Sequence, residues 1–220
     1  MKTGNRSKET ETSDDPTLAL ASERRPSTTV GFRPETSSWS KWANRFVIAA
    51  IAQGAIAVGI TAFLLYDATF DTPGAARIVA SGGAGTWLTV GYLGFLILGP
   101  LACAVTSLFY QHLEANLRAP YGGFSNILAW LHLVLMNVGI AAATVIMLQG
   151  GWRAGNLTYT LQQQTNPTLS PGAIAGQVHV QILGGLPPYI AALGAIAIIG
   201  AFAGGLGYVM AWNRSRKQLV

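Results

Sequence analysis

His132 and Asn137 are the residues of this sequence with the clearest scope for chemistry, because both stand inside a long apolar run, from about Ile127 to Leu148. An imidazole in such a setting either ligates a metal or haem iron, or hydrogen-bonds to a neighbouring helix. Haem ligation between two helices needs a second ligand at similar depth. The other histidines are badly placed for that: His112 closes the preceding apolar run and His179 lies ahead of the last one. A satisfied interhelical hydrogen bond is therefore the reading the residues favour for His132, with haem binding as the sharper alternative. Cys103 is the only cysteine, so no intramolecular disulfide forms, and a thiol in an apolar stretch reads as a small packing residue. No catalytic residue and no metal site is expected. The chain has no paired carboxylates, nucleophile–base set, CxxC pair or phosphate loop, and Glu114 is the one acid between Asp71 and the C-terminus. Gln53, Thr61, Thr89, Thr106 and Thr144 could line a polar path, although Thr also bonds back to its own helix. Proton or cation transport usually leaves an intramembrane carboxylate or charge cluster, and the apolar runs contain neither.

The elements that carry these residues are four apolar stretches, about Phe46–Tyr66, Trp87–Tyr110, Ile127–Leu148 and Tyr189–Trp212. Each reaches the ~20 residues needed to cross a ~30 Å hydrocarbon core. None holds Asp, Glu, Lys or Arg in its interior, whereas a soluble bundle would show a polar stripe on every helix. Half of the 220 residues are hydrophobic and 10% are charged, against ~25% charged in soluble domains. The expected fold is all-α: a four-helix transmembrane bundle over residues 39–213, with the lipid bilayer as its solvent. Trp39, Trp42, Tyr66, Trp87, Trp152, Tyr189 and Trp212 fall where interfacial anchors belong.

Residues 1–38 are rich in Ser, Thr, Pro and interleaved charge, so they form an expected disordered tail, too long and polar before the first apolar run to be a secretory leader. Residues 214–220 form a basic C-terminus. The net charge of +5 does not signal nucleic acid, because the positives follow membrane orientation. Of fourteen Lys and Arg, all but Arg77 and Arg153 lie in the tail, near Arg118, or at the C-terminus. The positive-inside rule then expects a multi-pass protein of the cell membrane with both termini cytoplasmic. Asn156-Leu-Thr158 falls in the outer loop, Gly150–Leu186, as a possible glycosylation acceptor. Gln177–Leu183 alternates like a strand but fits a helical extension of the fourth span equally well.

Gly99-Pro100 predicts a mid-membrane kink, and Pro187-Pro188 suits the first turn of a helix. Gly99, Cys103 and Ser107 share one helix face, as do Gly200 and Gly204, which reads as close helix contact.

Between Gly91 and Trp152 the sequence resembles the last part of subunit I of the haem–copper (cytochrome c or quinol) oxidases. The residues that carry the likeness are Gly91-Tyr-Leu-Gly-Phe-Leu-Ile-Leu-Gly99, Leu108-Phe-Tyr-Gln-His112 and Leu131-His-Leu-Val-Leu-Met-Asn-Val-Gly139. If Gly99 occupies the family's helix glycine, Gly91 and Leu93 stand where its His-x-His haem ligands would be, and neither can hold iron. The resemblance thus implies a non-catalytic relative: an accessory or oxidase-like membrane subunit associated with a respiratory terminal oxidase. The alternative expectation is a small four-span transporter or channel.

Overall fold

The computed structural model describes residues 40–119, 121–164 and 169–218. The expected disordered tail, residues 1–38, lies outside the described residues. Every regular element among the described residues is a helix. Helix α1, Lys41–Phe70, starts where Ser40 Oγ accepts the Ala43 N–H at 3.0 Å, a local N-cap. A short helix α2, Gly74–Val79, follows, and then α3, Gly83–Asn116. Helix α4 is Phe124–Gln164. Helix α5, Pro171–Val178, is capped by Ser170 and continued by a π-turn to Leu183; α6 is Pro187–Gln218.

Helices α1, α3, α4 and α6 are long and apolar enough to cross a membrane. The four spans expected from hydropathy are these four helices. All of them run past the apolar stretches, because helix geometry persists until the backbone is capped, not until polarity rises. Helix α6 starts at Pro187, as the proline pair implies, and carries Arg214 and Arg216 on the same continuous helix. At Pro100 the missing N–H is accommodated by a π-turn, Ile97–Leu101, within α3. The three histidines each open a further π-turn: His112–Asn116, His132–Met136 and His179–Leu183.

The stretch Gly150–Leu186 differs most from its expected form as a loop. Helix α4 continues to Gln164, and Gln177–Leu183 is helical, separated from α6 by a turn at Gly184–Leu186. Glycines make this possible. A Cβ at Gly151 would collide with the backbone of Ala84 and Leu88, and one at Gly155 with Ile78 of α2. Ile174, Val178 and Leu183 bury against Ala84 and Ala154, so α5 packs as a helical cap on this end of the bundle.

Helices α3 and α4 form the closest pair, with Gly91 against the backbone of Thr144 and Leu148. Helix α6 lies along α4, where Gly139 meets Leu193 and Ala197. Helix α1 leans on α3 and reaches α4 through Trp42, Phe46 and Gln53. Much of α1 faces outward: Ile51, Val58 and Leu65 are each about two-thirds exposed, a surface suited to lipid.

Candidate functional site

The buried polar groups form three tiers along the bundle. At the end carrying the starts of α1 and α4, Trp42, Phe46, Tyr110 and His132 pack together. The Phe46 and Tyr110 rings stack at 4.9 Å, 18° from parallel. The first turn of α1 is tied to α3 here: the Ser40 N–H donates to Gln111 Oε1 at 2.9 Å and the Trp42 N–H to Glu114 Oε2 at 3.3 Å. Glu114 thereby satisfies a free helix-start N–H from a different helix, with a favourable charge for that end.

His132 is buried inside this cluster. Its Nδ1 lies 3.1 Å from Tyr110 Oη and its Nε2 3.2 Å from Met136 Sδ. A thioether can only accept, so Nε2–H donates to Met136 and Nδ1 accepts from the Tyr110 hydroxyl, the neutral Nε2 tautomer. Gly204 of α6 lies against the ring, and a Cβ there would overlap it. Gly200 likewise meets Leu135 and Met136.

The middle tier joins α1, α3 and α4. Gln53 Nε2 donates to Asn137 Oδ1, which also accepts the Cys103 thiol at 2.7 Å. Asn137 Nδ2 bonds back to Leu133 O at 2.6 Å. Gln53 Oε1 is buried without a hydrogen-bond partner and points at Gly99, where a Cβ would strike it. Gly99, Cys103 and Ser107 are all buried on the same face of α3. Ser107 donates back to Ala104 O at 2.6 Å.

The third tier lies toward the opposite end. Thr61 donates to Ala57 O at 2.7 Å and accepts from the Tyr92 hydroxyl at 2.8 Å. One and a half turns on, Asp67 is 2% exposed beneath α2. Its Oδ1 faces Trp152 Nε1 at 3.4 Å, and its Oδ2 is buried with no partner. Sequence reasoning missed Asp67 because it stands one residue beyond the apolar run ending at Tyr66. The signal was the absence of any stop after it: nothing breaks the helix until Pro73. Trp152 is accordingly no terminal anchor of α4 but a partner midway along its extension. Asn156 is half-buried in α4, and its Nδ2 donates to Trp152 O at 2.9 Å. Thr144 bonds back to Ile140 O at 2.7 Å.

The haem that the oxidase resemblance raises does not fit at His132 as the ring is placed. Both ring nitrogens are engaged, and Gly204 occupies one side of the ring, so iron would need Tyr110 or Met136 to withdraw. Among the described residues, no group of three or more His, Cys, Asp or Glu could hold a metal ion. His112 pairs with Asn116 Nδ2 at 3.1 Å on an exposed part of α3. Comparison of the whole chain with protein-family models, curated proteins and solved structures found no match.

Proposed function

We propose that this integral membrane chain is an accessory subunit without a redox centre of its own, associated with a respiratory terminal oxidase. The observation that carries the accessory part is the inward commitment of its polar groups. His132, Tyr110 and Met136 bind one another, as do Gln53, Cys103 and Asn137, across three helices. A group whose hydrogen bonds are met mainly within its own bundle acts as a structural fastener rather than a reaction centre. The resemblance over Gly91–Trp152 supports the oxidase as partner. Docking would use surfaces other than Gly99, Gly200 and Gly204, which are occupied inside the bundle. Gly54 and Gly59 of α1 have open space around them and lie among exposed apolar side chains such as Ile51 and Val58, a face on which a partner helix can approach closely.

Gentle solubilisation followed by a native gel tests this reading. Co-migration with oxidase subunits is expected, and Gly54→Leu with Gly59→Leu should weaken it. Migration alone from membranes that contain an intact oxidase would overturn it. An absorption spectrum of the same sample should lack a Soret band depending on His132.

A second reading, a small transporter, is favoured by one observation: Asp67 is a buried carboxylate within a spanning helix, with an oxygen that has no partner. Ion or proton flux through liposomes, lost in Asp67→Asn, would favour that reading over the first.

A further inference from the structure

Arg45 is the cation of the bundle whose surroundings are most fully built. Its guanidinium lies 4.3 Å from the Trp42 ring and 4.6 Å from the Trp130 ring, two indoles from α1 and α4 set edge to face at 84°, so it sits in the corner that they form. Cation–π contact holds the charge in place without supplying a counter-anion. The described residues include three acids. Asp67 and Asp71 lie at the far end of α1, and Glu114 is bound to the Trp42 N–H; none forms an ion pair with Arg45. The charge is therefore not neutralised from within the described chain.

A groove of about 370 Å³ begins at this guanidinium and runs between α1 and α4. Its lining is Arg45, Ile48, Ala49, Ala52, Leu133 and Asn137. Ile48, Ala49 and Ala52 follow Arg45 at three, four and seven residues, the spacing of one helix face. Lys41, exposed, precedes Arg45 by one turn on that face. The two tryptophans mark the depth at which lipid headgroups meet the hydrocarbon. A cation beside an open, mostly apolar furrow matches the polarity of a phospholipid.

The geometry points to a specific anionic-phospholipid site here, with the phosphate on the edge of Arg45 and one acyl chain in the groove. Arg is suited to phosphate by its fork of donors, and packing it into the corner of two rings reduces the entropy that ordering its side chain would otherwise lose on binding. A zwitterionic headgroup would bring its own cation toward Lys41 and Arg45, so a net negative lipid is the occupant. This site goes beyond the accessory-subunit reading and does not depend on it: lipid retention without oxidase subunits on the native gel would keep the site and remove the partner.

The purified full chain, washed into detergent with an equal mixture of phosphatidylglycerol and phosphatidylcholine and examined by native mass spectrometry, tests the site. Retention of phosphatidylglycerol over phosphatidylcholine is expected, falling about fivefold or more in Arg45→Gln, the worth of one cation at a lipid surface. Ala52→Phe, at an exposed groove position, should lower retention while leaving Arg45 in place. Millimolar inorganic phosphate should not displace the lipid, since it lacks the chain that fills the groove. Equal retention of the two lipids, displacement by free phosphate, or undiminished retention in Ala52→Phe with helicity and size unchanged would overturn the assignment.

Discussion

His132 illustrates how one side chain can look like a ligand in sequence and act as a joint in space. Its Nδ1 joins α4 to α3 through Tyr110, and its Nε2 bonds Met136 one turn further along α4. His132→Ala would remove both bonds, leave Tyr110 Oη without its partner and open a void. A loss of about 2–4 kcal/mol is expected, measurable as a lowered unfolding temperature in detergent. Asp67 predicts the opposite sign. Its Oδ2 is buried and unpaired, so a neutral amide of the same shape should fit at lower desolvation cost. Asp67→Asn is expected to stabilise by ~1 kcal/mol, read in the same thermal assay. A destabilised variant would mean that the carboxylate has a partner of its own, and the argument from its unpaired oxygen would fail.

At the scale of helices, glycine does two different jobs, and substitution separates them. Gly139 lies against the Leu193 and Ala197 backbone, so Gly139→Leu should drive α6 from α4 and destabilise by roughly 3 kcal/mol or more. Nothing lies within 4 Å of a Cβ built on Gly54 or Gly59. Gly54→Ala with Gly59→Ala should therefore leave stability unchanged or raise it by up to ~1 kcal/mol per site through helix propensity. Thermal unfolding of the two variants side by side checks the contrast. The four-residue spacing of Gly99, Cys103 and Ser107 was legible in the sequence, but which helix they meet was not. Gly91 continues the Gly99 ladder two turns back and Gly151 stands four residues from Gly155, yet which helix each meets is decided only by the crossing points of the helices.

At the scale of the whole molecule, an even number of spans places Lys41 and Arg216 at the same end of the bundle. The charge distribution proposes the cytoplasm for that end. In a Cys103→Ser background, single cysteines at Arg77 and Arg153 should react with an impermeant thiol reagent added outside intact cells, and one at Arg118 should not. The reverse pattern would invert the topology without changing the fold. The helical cap formed by α2, α5 and the extension of α4 belongs to the end opposite Arg118. Its short helices and the polar extension of α4 hid it from a hydropathy reading, which sees how long and apolar a helix is and not what its small residues touch.

Residue chemistry alone determined that lipid is the solvent and that the chain crosses it as four helices. Uncharged runs of that length must satisfy their backbone internally, and a helix does so without reference to any other part of the chain. Tertiary structure alone decided the partners of the buried polar groups. Gln53 and Asn137 are 84 residues apart, and Asp67 and Trp152 are 85 apart. Their meeting depends on how helices rotate and slide against one another, and that register is set by the summed fit of many small contacts, which no short motif encodes.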